Sequence, residues 1–557
     1  MRVLMAIAFA ALGLSGFAPA ATAQEVISVN GEDVTRVVIA PPRSDIARVI
    51  KAGLQKAYYD AEKGTRAYIQ AQKLYYFYGA RGFEPLWLTA GAGGKIAFSA
   101  NADKIIGVFK GSELEGFRPS DYLTPEIDVA AAGSDPSKLA ALETAFSQSA
   151  VRYAQDAYGG RIAPTAVSKL LTITPKRINE ADMLLKLAAS SEPDKILLDL
   201  DPTHPEFVLL KAALGKFFDN SLKAETITIP DGKTLKLGME DERVPLLRER
   251  LAVAAPEIPE GAVDATVDIT YDQALVDAVK AFQESLGLGA DGVLGPATVA
   301  ALNGGSAVTK DDIIANMERW RWEPENFGKF HVEVNIPEYR LWIKNNGEDA
   351  YSTRVVVGTP THQTPVFSDE IENVVVNPYW NVPPSIAVAE IKPHLLANPN
   401  YLDTQNMEML SGSKVVNAAA IDWTQTNINN YHIRQKPGGG NALGQIKFLF
   451  PNEHDVYLHD TPSKSLFARS FRAYSHGCVR VQNPMEFGGA LMATNPELTQ
   501  ASFEGMVGPK ERWVKLNNHI PVHLMYFTLR VDADGTIRSY GDVYGHNKKL
   551  IELLNAE

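Results

Sequence analysis

Two short segments hold the residues best equipped for chemistry: Tyr457-Leu458-His459-Asp460-Thr461-Pro462 and Ser475-His476-Gly477-Cys478-Val479-Arg480. Cys478 is the single cysteine of the chain, so it can join neither an intramolecular disulfide nor a multi-cysteine metal cluster. A thiolate is a strong nucleophile, and a neutral imidazole within reach can generate it by taking the thiol proton. His459, 19 residues before the thiol, is the candidate base. It ends an expected strand, and the backbone or side chain of Asp460 could fix its tautomer. Gly477 lets the backbone turn tightly before the nucleophile and leaves amide N–H groups free for an oxyanion. Asn483 and Pro484 then read as the N-cap and first position of a helix. His454, His459, His476 and Cys478, with Asp455 or Asp460, match no compact zinc spacing. The residues alone read as a cysteine nucleophile with an imidazole base, in preference to a metal site.

The elements that must position these residues are strands. From Phe330 the pattern turns to period two: His331–Ile336 and Tyr339–Lys344 alternate, and Thr353–Val357 is a β-branched run ending at Gly358. Val374–Val376, Val456–Leu458 and Val522–Val531 add further strands. Residues 330–545 therefore form a β-rich domain, with 546–557 as a C-terminal tail and 305–329 as a linker helix. Inside the domain, 384–446 has mixed character and includes Lys436-Pro437-Gly438-Gly439-Gly440-Asn441. No Gly-Lys-Ser/Thr follows those glycines, so they are not a phosphate loop. A cover over the site is the expectation for so long an insertion.

Upstream, residues 44–231 carry helical faces such as Leu74, Tyr75 and Tyr78, interrupted at Phe83-Glu84-Pro85-Leu86-Trp87, and read as a helical scaffold. Residues 232–304 carry their own signals. Val244, Leu247 and Leu251 share one helix face, Leu275, Val279, Phe282 and Leu286 a second, and a third short helix begins at Thr298. Residues 24–43 are an extended lead-in. Residues 1–23, with Arg2, an apolar run from Val3 to Leu14 and Ala21-Thr22-Ala23, read as a cleaved signal peptide. Export makes an unpaired cysteine either inert and buried or kept for its reactivity. The 557 residues include 54 basic and 66 acidic side chains, a formal net charge of −12, with no basic block. That balance argues against nucleic acid and anionic lipid as partners.

Two resemblances follow from these residues. Phe282-Gln283, Gly287-Leu288, Asp291-Gly292, Gly295-Pro296, Thr298 and Leu302 resemble the three-helix peptidoglycan-binding domain found beside cell-wall enzymes. His459 followed by Ser475-His476-Gly477-Cys478, with a basic residue two past the cysteine, resembles the signature of the L,D-transpeptidases. Papain-like peptidases place the cysteine before the histidine, the reverse of the order here. Arg319-Trp320-Arg321-Trp322, Asn335-Ile336-Pro337, Asn377 to Pro383, Asn441-Ala442-Leu443-Gly444 and Tyr457 to Asp460 extend the resemblance to the large periplasmic branch of that family. The resemblance implies a multidomain α+β protein: helical scaffold, small three-helix peptidoglycan-binding domain, and β-rich catalytic domain with 384–446 as capping subdomain. It implies Cys478 as nucleophile, His459 as base, and the Gly477 and Cys478 amides as oxyanion hole. No metal or organic cofactor is implied. Ser475 and His476 should line the pocket, and Trp380, Asn441 and Tyr457 should wall the cleft, with core packing the other reading of Trp380. Arg480 stands where the family has arginine or asparagine; its guanidinium suits a substrate carboxylate, with a surface charge or an ion-pair partner as the other reading. The implied reaction joins tetrapeptide stems of peptidoglycan by 3→3 cross-links in the periplasm, through a thioester open to carbapenems, with other wall-synthesis proteins as partners. Water as acceptor would instead make a carboxypeptidase, a lysine of an envelope protein a ligase, and a vestigial site a wall-binding scaffold.

Overall fold

The computed structural model describes residues 24–29, 32–90, 95–219, 228–251, 253, 269–286, 288–304, 308–468 and 472–556. The signal-peptide reading at 1–23 lies outside them. The chain divides into two compact units, one of residues up to Tyr158 plus Arg177–Asp201, the other of Gly159–Lys176 plus Pro202 onward.

The first unit is helical. Helices Asp45–Asp60, Ala100–Lys110 and Glu180–Ala189 start at Ser44, Ser99 and Asn179, whose side chains accept the N–H of the third residue on. Tyr78, Trp87, Phe109, Phe146 and Tyr153 fill its core. The Pro85-Leu86-Trp87 interruption is anchored by buried Glu143, which accepts from the Leu86 and Trp87 amides and the Tyr78 hydroxyl. Where an extended lead-in was expected, Gln24–Val29 and Glu32–Val37 pair as an antiparallel hairpin. Asn30-Gly31 between two β-branched runs is the sequence signal for it.

The expected scaffold boundary at 231 is corrected by the next helix. In α1 (Pro205–Phe218), Phe207, Leu210 and Leu214 pack against Ile313, Met317 and Trp320 of α2 (Lys310–Trp322) in the second unit. Nor is α2 a linker. Asn316, Glu318, Arg319 and Arg321 are buried in it alongside its tryptophans. Its charges misled because each has an internal partner: Glu318 accepts from the Ile162 amide, and Arg319 donates to Asn547.

Residues 228–304 form a separate core of Ile229, Leu235, Val244, Leu247, Tyr271, Leu275, Val279, Leu294, Val299 and Leu302. Its turns are clamped by Gln283, which donates to Asp291 and Thr298 and accepts the Gly292 amide.

The main sheet comprises, among the described residues, β1 (Phe330–Asn335), β2 (Arg340–Asn345), β3 (Glu348–Gly358), β4 (Phe367–Val376), β5 (Ile446–Leu449), β6 (Leu458–His459), β7 (Ala473–Ser475), β8 (Val479–Val481) and β9 (Arg512–Met525). The order is β7-β3-β8-β6-β5-β4-β9-β1-β2, and β2 also pairs with β3, closing the sheet on itself. Val355, Val357, Val374, Val376, Ile446, Phe448, Leu458, Val479 and Val481 enter one core with Phe487 and Leu491 of α3 (Pro484–Leu491). Pleating sends the residues between them to the opposite face. The expected C-terminal tail is a helix, α4 (His546–Ala556), because Leu550 and Leu554, one turn apart, are buried in that same core.

After Val376 the chain leaves the sheet and returns at Ile446. The intervening residues have a core of their own, including Ile391, Leu395, Met409, Trp423 and Ile433. They also have their own four-stranded sheet, ordered Lys414–Val416, Met407–Ser411, His432–Gln435 and Trp380–Asn381.

Candidate active site

Three neighbouring strands assemble the site by register. In the parallel pair β6–β8, Leu458 lies opposite Val479 and His459 opposite Arg480. One step back along both strands, Tyr457 comes level with Cys478. Because side chains alternate, Tyr457, His459, Cys478 and Arg480 share the face turned away from the Leu458–Val479 core. On the other side of β6, antiparallel β5 places Lys447 opposite His459. A single row across the sheet therefore reads Arg480, His459, Lys447.

The imidazole is held in one tautomer. His459 Nδ1 bonds the Asp460 backbone carbonyl, which can only accept, so Nδ1 carries the proton and Nε2 keeps a lone pair. The ring is buried, at 4% exposure. Burial, and then the neighbouring Arg480 and Lys447 cations, push its pKa down to about 3, so the base is neutral in any ordinary medium. The Cys478 thiol lies 3.9 Å from the Asp455 carbonyl. Burial pushes its pKa up to about 11, against the opposing pull of the Tyr457 amide and hydroxyl and of Arg480. The Tyr457 ring meets the imidazole edge-on at 5.7 Å between centroids. Asp455 and Tyr457 also line a cleft of about 450 Å³ with Asn373 and Leu449.

Gly477 sits at φ +113°, where a side chain is strained. Its carbonyl accepts from the Thr364 hydroxyl at 2.8 Å, and that hydroxyl's oxygen accepts the Gly358 amide at 2.9 Å. These features together describe a half-buried thiol after a constrained turn, one strand pairing from a neutral imidazole.

Residues 329–487 match the family model described as "L,D-transpeptidase catalytic domain". That stretch is similar to the L,D-transpeptidase family.

Residues 72–214 match a "Scaffold domain" model and 240–302 a "Putative peptidoglycan binding domain" model. A Haemophilus influenzae protein named "Putative L,D-transpeptidase" is 35% identical over 241 residues, which cover 42% of this chain and 48% of that one. The match thus spans about half the length of that relative. Two solved structures are also similar. An L,D-transpeptidase from Stackebrandtia nassauensis is 16% identical, covering 54% of this chain and 96% of that one, with a TM-score of 0.21. An L,D-transpeptidase from Xylanimonas cellulosilytica is 18% identical, covering 53% of this chain and 99% of that one, with a TM-score of 0.18.

Within the transpeptidase domain, several residues expected at the site serve its frame instead. Ser475 is buried; its hydroxyl donates to the Cys478 carbonyl and accepts the Gly477 amide at 3.2 Å. That amide is therefore not free for an oxyanion, whereas the Cys478 N–H bonds no described residue. The Asp460 carboxylate turns from the imidazole to the Gln445 and Thr461 amides and Lys464, so its contribution to the base is the backbone carbonyl. Asn441 is buried and fully engaged, donating to the Pro378, Gln435 and Lys436 carbonyls and accepting the Leu443 amide. It clamps the chain's return from the cap. Trp380 pairs with Gln435 and packs on the cap's own core. His476 is half exposed, with Nε2 3.2 Å from Glu390 of the cap. Asn483 precedes α3 as expected but makes no side-chain cap bond.

Two residues at the site carry no local sequence signal, Thr364 and Lys447. Thr364→Val keeps the shape but leaves a buried amide and a buried carbonyl unpaired, at a cost of about 1–3 kcal/mol. Thermal melting should show that loss, turnover should fall with it, and Thr364→Ser should recover both.

Proposed function

We propose that the chain is an exported peptidoglycan L,D-transpeptidase that joins two tetrapeptide stems by a 3→3 link through a thioester on Cys478. The observation that carries this reading is the common face of Tyr457, His459, Cys478 and Arg480, with His459 Nδ1 committed to the Asp460 carbonyl. The thiol proton passes to His459 Nε2 as sulfur attacks the carbonyl of the third stem residue. The S–C bond forms, and the oxyanion faces the Cys478 amide. Collapse breaks the C–N bond, and His459 returns the proton to the departing D-Ala amine. A side-chain amine of a second stem then attacks the thioester, gives its proton to His459 and frees the thiol. Arg480, whose buried Nε has no hydrogen-bond partner among the described residues, suits a donor carboxylate. The 228–304 module would hold the wall polymer, and residues 1–23 would direct the chain to the periplasm.

Incubation with tetrapeptide muropeptides, followed by mass spectrometry, tests the reading. A cross-linked dimer with loss of one D-Ala supports it. Loss of D-Ala alone indicates a carboxypeptidase, and unchanged substrate a wall-binding scaffold.

A further inference from the structure

We propose that Lys447 is a second cation of the thiol site, acting with Arg480 to stabilise the Cys478 thiolate and to draw anionic reactants toward it. The proposal rests on Cys478 being the reactive thiol.

Lys447 occupies the middle of the sheet. Register sets it opposite His459 on one side and opposite Val375 on the other, with Trp513 opposite Val375 in turn. Its strand neighbours Ile446 and Phe448 enter the core, so Lys447 faces the site. It is only 7% exposed. Burying an ammonium is costly unless something compensates it. Here Nζ lies 5.5 Å from the Tyr457 ring centroid and 5.8 Å from that of Trp513, both within cation–π range. Among the described residues no carboxylate stands within ion-pair distance of it. The anionic groups that favour its charge are Glu511 and the Cys478 thiol itself. Glu511 is already engaged, by the Tyr379 amide at 2.9 Å and the Trp513 indole at 3.1 Å. Packing alone would be served by leucine between the same two rings, with no desolvation cost. Burial lowers the ammonium's pKa, and Glu511 and the thiol work against that loss; a charge held in this position acts on the thiol.

The other groups facing that thiol have known signs. On β6, the Tyr457 amide and hydroxyl favour the thiolate; on β8, Arg480 does; Asp455, in the preceding loop, opposes it. Lys447 adds a positive charge from β5. It is a positioning residue for charge, without contact with the sulfur.

The test is alkylation of the full chain by iodoacetamide across pH, followed by intact mass. The thiolate forms the C–S bond as the C–I bond breaks and iodide leaves. Lys447→Met should move the midpoint upward by about one pH unit, slowing reaction near neutrality about tenfold. Lys447→Arg should restore it. Iodoacetate should lose more rate than iodoacetamide in Lys447→Met. An unchanged midpoint in the Met variant, or no recovery in a folded Arg variant, overturns the proposal. Should the Met variant not fold, the parent protein decides. Added salt must slow iodoacetate more than iodoacetamide, and an equal response overturns the proposal. The two readings fail separately. A parent that cross-links muropeptides without the alkylation shift sinks only the Lys447 role. A parent that shows the shift without cross-linking sinks only the transpeptidase reading.

Discussion

A carbapenem should add once per chain to the parent protein and not at all to Cys478→Ala, which should also lose muropeptide turnover to background. The β-lactam is a strained acyl donor, and Cys478 is the single thiol. It stands on a turn whose conformation is tied by Ser475 on one side and Thr364 on the other. Intact-mass measurement reads the adduct directly. An adduct that persists in the alanine variant assigns the chemistry to another residue and ends the cysteine mechanism. The variant should melt with the parent, since removing the thiol breaks no hydrogen bond within the turn's frame.

His459→Ala should lower turnover by about 10²–10⁴-fold, the usual worth of general-base assistance. The pH behaviour carries the sharper signature. With the imidazole near 3, parent activity should show no inflection at the ordinary histidine value of 6.5. Stability has a defined sign as well. The folded state prefers neutral His459, so its contribution is complete above 6.5 and is lost as pH falls from there toward 3. The melting temperature of His459→Ala should therefore fall less steeply across that window than the parent's. Exhaustive chelation should leave both activity and melting temperature unchanged. Silencing by chelation with rescue by zinc would make His459 a metal ligand instead.

Cys478 and His459, proposed here as nucleophile and base, stand out in the chain because both lie in short contiguous segments, and period two predicts which neighbours share their face. Lys447 was not legible. Its strand reads as an apolar run with one cation, and its role depends on pairing with a segment 12 residues away. Thr364 was hidden for the same reason, since its partners Gly358 and Gly477 come from two strand ends. Ser475 and Asn441 misled in the opposite direction. Small polar residues beside a catalytic motif look like ligands for substrate, yet buried turns need the same groups to satisfy their own backbone. Helix α2 departs from the expected linker because it buries Glu318, Arg319 and Arg321, and α4 from the expected tail because Leu550 and Leu554 enter the core.

The strands β4 and β5 are antiparallel neighbours, with Val376 opposite Ile446 and the Asn377 amide bonded to the Gln445 carbonyl at 2.7 Å. Topologically, everything between them is the turn of a hairpin, grown until it could fold by itself. Lengthening such a turn costs little, because closure entropy rises only with the logarithm of its length. Such an insertion can be exchanged or shortened while Cys478 and His459, which lie outside it, keep their register. A graft joining Val376 to Ile446 through a two-residue turn would be the smallest version of this sheet that still sets His459 beside Arg480.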